Sequence, residues 1–136
     1  MADDPLVTWH DDRLVEVDGV TFELGVDPSP PSAPHYLRVL KPRWMVEEHL
    51  RLLARERPAR IVELGIYDGG STVLLAVAAR PQRLLAVDLA AAAPPLDRWL
   101  AAQPPARRDA VHPATASIRP TASAWRRSST PSSATP

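Results

Sequence analysis

The chain contains no cysteine and only one lysine, Lys41. Without a thiol it cannot form a disulfide, build a thiolate zinc site or use a cysteine nucleophile. It also lacks net charge, because 16 acidic residues balance 16 basic ones. No overall field therefore draws it to nucleic acid or to an anionic membrane surface. No apolar run approaches membrane-spanning length. The opening residues, MADDPLVTWHDDR, are acidic where a secretory signal would be basic and then apolar. The expectation is a cytoplasmic protein with neither nucleic acid nor membrane as a partner. Its 136 residues suffice for one small domain and one core. What the chain has in excess is proline, at 16 residues, and arginine over lysine, the usage of a GC-rich coding sequence.

Three regions follow from the pattern: residues 1–40, 41–104 and 105–136. In the first, RLVEVDGVTFEL (13–24) reads as a hairpin. Asp18-Gly19 supplies a two-residue turn that tolerates positive φ, and β-branched residues flank it. A surface flap is the simplest role for such a hairpin. GVDPSPPSAP (25–34) is a connector without periodicity. In the second region, PRWMVEEHLRLLARER (42–57) reads as a helix with Pro42 at its first position. Val46, Leu50 and Leu53 form its apolar stripe, which Trp44 or Met45 can widen. His49 is read as a solvated helix residue. Arg60–Leu64 and Arg83–Val87 read as short strands around an apolar helix, Ser71–Ala79. Neither strand alternates with polar residues, as in parallel strands buried on both faces. Leu96–Ala102 reads as a short helix in which Trp99 is a packing residue.

Chemistry concentrates in RIVELGIYDGGSTVLL (60–75). Ligands of open parallel sheets bind beyond the carboxyl ends of the strands, so the loops after both strands face one crevice. Glu63 and Gly65 close the first strand, and Asp88 closes the second. Gly65 admits a ligand where a Cβ would block it, and Gly69 and Gly70 permit the sharp entry into the helix. The N–H groups of the first helical turn, from Gly70 to Thr72, favour a carboxylate or phosphate. Asp88 stands at the interval at which an acid holds ribose hydroxyls. The arrangement suits a nucleoside with a nearby anionic group. Neither the dinucleotide fingerprint G-x-G-x-x-G nor a P-loop is present.

VELGIYDGGS followed by LLAVDL resembles motif I and the next acidic strand tip of class I S-adenosylmethionine-dependent methyltransferases. The form ELGxxxGGS is most similar to the branch of cephalosporin-hydroxylase-like and macrocin O-methyltransferase-like proteins. The resemblance covers about Arg60 to Leu89 and, more thinly, the helix before it. It implies an incomplete Rossmann-like α/β sheet with S-adenosylmethionine as cofactor. Glu63, Gly65 and the loop through Tyr67, Gly69 and Gly70 to Ser71 would line the methionine end. Asp88 would take the ribose hydroxyls. Tyr67 departs from the commoner E-x-G-x-G-x-G form, and either covers the cofactor or shapes the loop. The implied activity is O-methylation of a small natural-product-like acceptor by a full-length ancestor, of which this chain is an amino-terminal fragment expected to be inactive.

Some relatives in that branch hold a divalent metal with carboxylates beyond the third and fourth strands, and this chain shows no such segment. His10, His35 and His112 are isolated in sequence. No catalytic residue and no metal ligand is assigned. Two other readings stay open: the nucleotide-binding half of a dehydrogenase or nucleotide-sugar enzyme, and a non-enzymatic βαβ fragment. Glu63 before Gly65 separates the methyltransferase reading from the dehydrogenase one. With only two clear central strands, part of the sheet is left uncovered, which leaves room for self-association.

The third region changes character. From Pro113 onward, Ala, Pro, Ser and Thr fill all positions except Ile118, Arg119, Trp125, Arg126 and Arg127. This is the composition of a disordered tail. It also fits a frameshifted reading of a GC-rich gene. Shifted by one frame, with G or C at the wobble positions, the tail yields PGYGVDQADRVRLAAVVDAEFGDA, which contains an amphipathic helical pattern. The shift would fall near Ala106 to His112, and residues from about Val111 onward are then expected to lack packed structure.

Overall fold

The computed structural model of the chain describes residues 5–28, 31–90 and 93–117. It is a mixed α/β structure built from two sheets. The first contains β1 (Val7–Trp9), β2 (Leu14–Val17), β3 (Val20–Leu24) and β4 (Leu37–Val39), in that order. β1, β2 and β3 pair antiparallel, and β4 joins β3 in parallel. The second sheet is wholly parallel, with β5 (Arg60–Leu64), β6 (Arg83–Asp88) and β7 (Val111–Thr115) in sequential order. Helix α1 (Arg43–Glu56) leads into β5, and α2 (Gly70–Ala79) connects β5 to β6. Helices α3 (Pro94–Ala101) and α4 (Pro105–Ala110) connect β6 to β7.

The hairpin forms at its predicted turn. Asp18 and Gly19 have φ of 50° and 79°, as a two-residue turn matched to strand twist requires. Its role as a surface flap is corrected. Val15, Val17 and Phe22 are fully buried, Leu24 nearly so, and all four share a core with Val73 and Val77 of α2. The period-two alternation puts these four on one face of the sheet, and that face lies against α2. β4 escaped the sequence reading because three residues carry too little periodicity. Its Arg38 is buried, donating from Nη1 to Glu23 Oε2 at 2.9 Å and from Nε to the Asp27 carbonyl.

Of the predicted stripe, helix α1 buries Val46 and Leu53 and packs a partly buried Leu50 against the same core, while Trp44 stays exposed and does not widen it. Pro42 is the N-cap and not the first helical residue. Arg57 closes the helix in the left-handed conformation, and Pro58 follows it. Arg43 ties α1 to the first sheet. It lies 4.3 Å from the Trp9 ring centroid and pairs with Asp12 and Glu47.

Helix α2 is the centre of the molecule, with seven of its ten residues buried. It packs on β2, β3 and β4, with α1 and α3 beside it, while Ala76 meets Leu84 and Val111 of the parallel sheet. An all-round apolar helix needs apolar partners on every side, and two sheets and two helices supply them. The approach to β4 is close: a Cβ on Gly70 would lie 1.8 Å from the Arg38 carbonyl oxygen.

Two further expectations are corrected. The parallel strands are covered on one face only: β5 leaves Val62 and Leu64 exposed, and β6 leaves Leu85. The sequence of such strands records apolarity on both faces but not whether both are covered. The region from residue 105 is not structureless throughout. Residues 105–110 form α4, and β7 pairs with β6 from Leu84↔Val111 to Asp88↔Thr115. Val111 is buried beside Leu84, while His112 to Thr115 join through the backbone with their side chains exposed. The remainder of the tail, residues 118–136, lies outside the described residues. None of the helices among the described residues is long and apolar enough to cross a membrane.

Candidate functional site

The predicted site residues converge at the carboxyl ends of β5 and β6. Asp88, at the tip of β6, reaches across to the loop after β5. Its Oδ2 accepts the N–H groups of Ile66 at 2.5 Å and Tyr67 at 3.0 Å, and its Oδ1 accepts the Ala90 N–H at 2.8 Å. Those backbone donors, Ala90 first and then Ile66 and Tyr67, hold the Asp88 carboxyl down at a pKa of about 2. The acid expected to face a ligand thus also fixes the glycine loop. With Oδ2 taken by two loop N–H groups, Oδ1 is the oxygen a sugar hydroxyl would approach.

Glu63 faces the start of α2. It accepts the Ser71 hydroxyl at 2.5 Å and the Thr72 hydroxyl at 2.6 Å. A carboxylate under the positive end of a helix is favourably placed. Its role here is internal, joining β5 to the first turn of α2. Gly65 has φ of 89°, and a Cβ there would meet nothing within 4 Å, so open space lies directly over the backbone. Gly69 has φ of 99° and abuts Leu96 of α3.

Tyr67 also has positive φ, 54°, a conformation that costs a non-glycine residue about 1–3 kcal/mol. Two contacts hold it there: its N–H to Asp88 and its hydroxyl, which donates to the Pro28 carbonyl at 2.7 Å. Asp68, which the sequence reading did not single out, is the buried clamp of the loop. Its Oδ2 accepts the N–H and hydroxyl of Ser32, and its Oδ1 accepts the Gly70 N–H at 3.3 Å. One of the α2 donors predicted to face a ligand is thus taken by the protein itself. An Asx-type signal, Asp two residues before the N–H it accepts, could have revealed this.

Two small concavities meet at Ile66 and Tyr67. One, of about 130 Å³, is bounded by Lys41, Arg38, Gly65, Gly70 and Ser71. The other, of about 110 Å³, is bounded by Asp97, Ala90 and the end of β7, Pro113 to Thr115. The first also has Asp68 in its wall, its Arg38 is paired with Glu23, and Lys41 is the remaining cation beside the start of α2. The second is walled by small apolar residues and one acid. A larger cleft, about 470 Å³, lies between Thr21, Tyr36 and Trp99. It holds none of the predicted residues and no carboxylate. Among the described residues no three His, Asp or Glu side chains gather as a metal site would require. Compared with protein-family models, with curated proteins and with solved structures, the chain matches none.

Proposed function

We propose that this chain carries the cofactor-binding corner of a class I S-adenosylmethionine-dependent methyltransferase, on a Rossmann-like sheet of which only part is present. The observation that carries the reading is the meeting of two strand tips. Asp88 binds the loop of Gly65 and Tyr67 through its backbone, so an acid, a glycine with open space above it and a helix start share one ledge. In this reading the nucleoside lies along the ledge with its sugar hydroxyls at Asp88 Oδ1. The adenine sits by Asp97 and Ala90, and the methionine carboxylate sits by Lys41 and Ser71. The cofactor, when bound, would supply a methyl group on a sulfonium.

Each concavity is smaller than the roughly 300–1,000 Å³ of ordinary ligand pockets. The ledge supports contact along one side of a ligand, so binding is weak and methyl transfer to a small acceptor is absent or nearly so. No residue is assigned to catalysis. Calorimetric titration with S-adenosylhomocysteine and, separately, with NAD tests the reading. Weak binding of S-adenosylhomocysteine, lost in Gly65→Val, is expected. Binding of NAD alone would point to the dehydrogenase half, and binding of neither to a non-enzymatic fragment.

A further inference from the structure

The cleft between the first sheet and α3, about 470 Å³, lies within the roughly 300–1,000 Å³ of ordinary ligand pockets. Two elements wall it. One is a tight turn. The Ala33 N–H donates to the Tyr36 carbonyl at 3.1 Å, and the Tyr36 N–H donates back to the Ala33 carbonyl at 3.2 Å. The turn brings Pro34, His35 and Tyr36 to the cleft, and the His35 and Tyr36 rings meet edge-on with centroids 4.9 Å apart. The other wall is one side of α3. Pro95, Arg98, Trp99 and the C-cap Ala102 line the cleft, and their spacing is that of a single helical face. Gln103 follows them, its side-chain nitrogen donating to the Trp99 carbonyl at 3.1 Å. Leu96 and Asp97 belong to the core and to the ledge respectively.

We infer that this cleft binds a small planar aromatic carboxylate. The walls select a flat ring. Tyr36 and Trp99 offer aromatic surface from two elements, and Pro34, Pro95, Val20 and Leu37 add apolar lining. Aromatic rings gain from offset or edge-to-face contact beyond the area they bury. Charge selects the anion. Arg98 is the one arginine or lysine of the lining, which holds no Asp or Glu. Arg98 is exposed and makes no hydrogen bond or ion pair among the described residues. Its guanidinium presents a fork of donors that a carboxylate fills with two bonds. The Tyr36 and Thr21 hydroxyls and the Trp99 indole N–H, likewise without a bond among the described residues, supply further donors. Aromatic walls alone also attract cations, but Arg98 repels one here. The cleft shares no residue with either concavity of the ledge, so the inference holds whether or not the ledge binds a cofactor.

Calorimetric titration of the full chain at neutral pH with three probes of one ring system tests this: 1-naphthoate, 1-naphthylmethanol and 1-naphthylmethylammonium. Naphthoate should bind with a Kd of about a millimolar or below. It should bind about three- to tenfold more tightly than the alcohol, with the ammonium probe weakest. Because Arg98 holds no partner among the described residues, Arg98→Gln should leave the circular dichroism spectrum unchanged while bringing naphthoate level with the alcohol. Arg98→Glu should reverse the order, so that the ammonium probe binds best. Nuclear magnetic resonance of 15N-labelled protein reads the location independently. Naphthoate should shift the backbone signals of Tyr36 and Trp99 and the Trp99 indole N–H, and leave those of Gly65 and Tyr67 in place. Equal binding of the three probes, a naphthoate preference that survives Arg98→Gln, or shifts centred on Gly65 and Tyr67 overturns the inference. Absence of binding overturns it as well, whether residues 118–136 fill the cleft or nothing does.

Discussion

Asp88 accepts three backbone N–H groups, and each bond favours its ionised form. Its folded pKa, about 2, lies below the ordinary 3.8. A depressed carboxylate stabilises the fold above its unfolded pKa and loses that contribution as pH falls toward the folded value. The melting temperature of the protein should therefore exceed that of Asp88→Asn at neutral pH. The gap should close between about pH 4 and about pH 2. A gap that stays constant across that range would mean that the carboxylate charge does not hold the loop. Gly70 sets a steric limit at the same site. With a Cβ at 1.8 Å from the Arg38 carbonyl oxygen, Gly70→Ala must push α2 away from β4. A loss of about 1–3 kcal/mol, the range for overpacked cores, is expected in urea unfolding. The glycines of this loop were legible in the sequence because their function is conformational. Asp68 and Ser32 were not, because their partnership spans 36 residues and leaves no local pattern.

Secondary structure was easiest to read where one period dominates. Asp18-Gly19 between alternating strands, the Val46 and Leu53 stripe and the apolar run of α2 each emerged as elements. Their partners did not, since alternation shows that a hairpin has an apolar face but not what meets it. Phe22 measures the difference between flap and core. It is fully buried against the α2 cluster, so Phe22→Ala should cost about 3–5 kcal/mol. A flap would lose less than about 0.5 kcal/mol, as surface changes do. β4 and β7 remained illegible for a related reason. Three residues in β4, and a β7 with one buried side chain, are recruited by a neighbouring strand's free edge and not by their own periodicity. The composition of residues 111–115 reads as tail, yet backbone pairing asks little of side chains.

At the scale of the molecule, the division at residue 40 marks a change in sequence pattern, but the core does not stop there. One cluster joins Val15, Phe22 and Val39 to Val46, Val73 and Leu96. Residues 41–117 expressed alone would bare one side of α2. That fragment should show no cooperative thermal transition, whereas the full chain should show one. A fragment that melts cooperatively would establish residues 1–40 as dispensable.

The bond between Arg80 and Asp18 closes a span of 62 residues. Arg80 donates from both Nε and Nη2 to Asp18 Oδ2, fastening the hairpin turn to the end of α2. During synthesis the hairpin leaves the ribosome first, with the residues that will become its cover still unmade. At about 5–20 residues per second, the wait for Arg80 lasts roughly 3–12 s. Throughout that interval Phe22 and its neighbours lack the part of their cover that Val73 and Val77 of α2 supply. Burial of the amino-terminal sheet is thus completed only when α2 has emerged and Arg80 can reach Asp18.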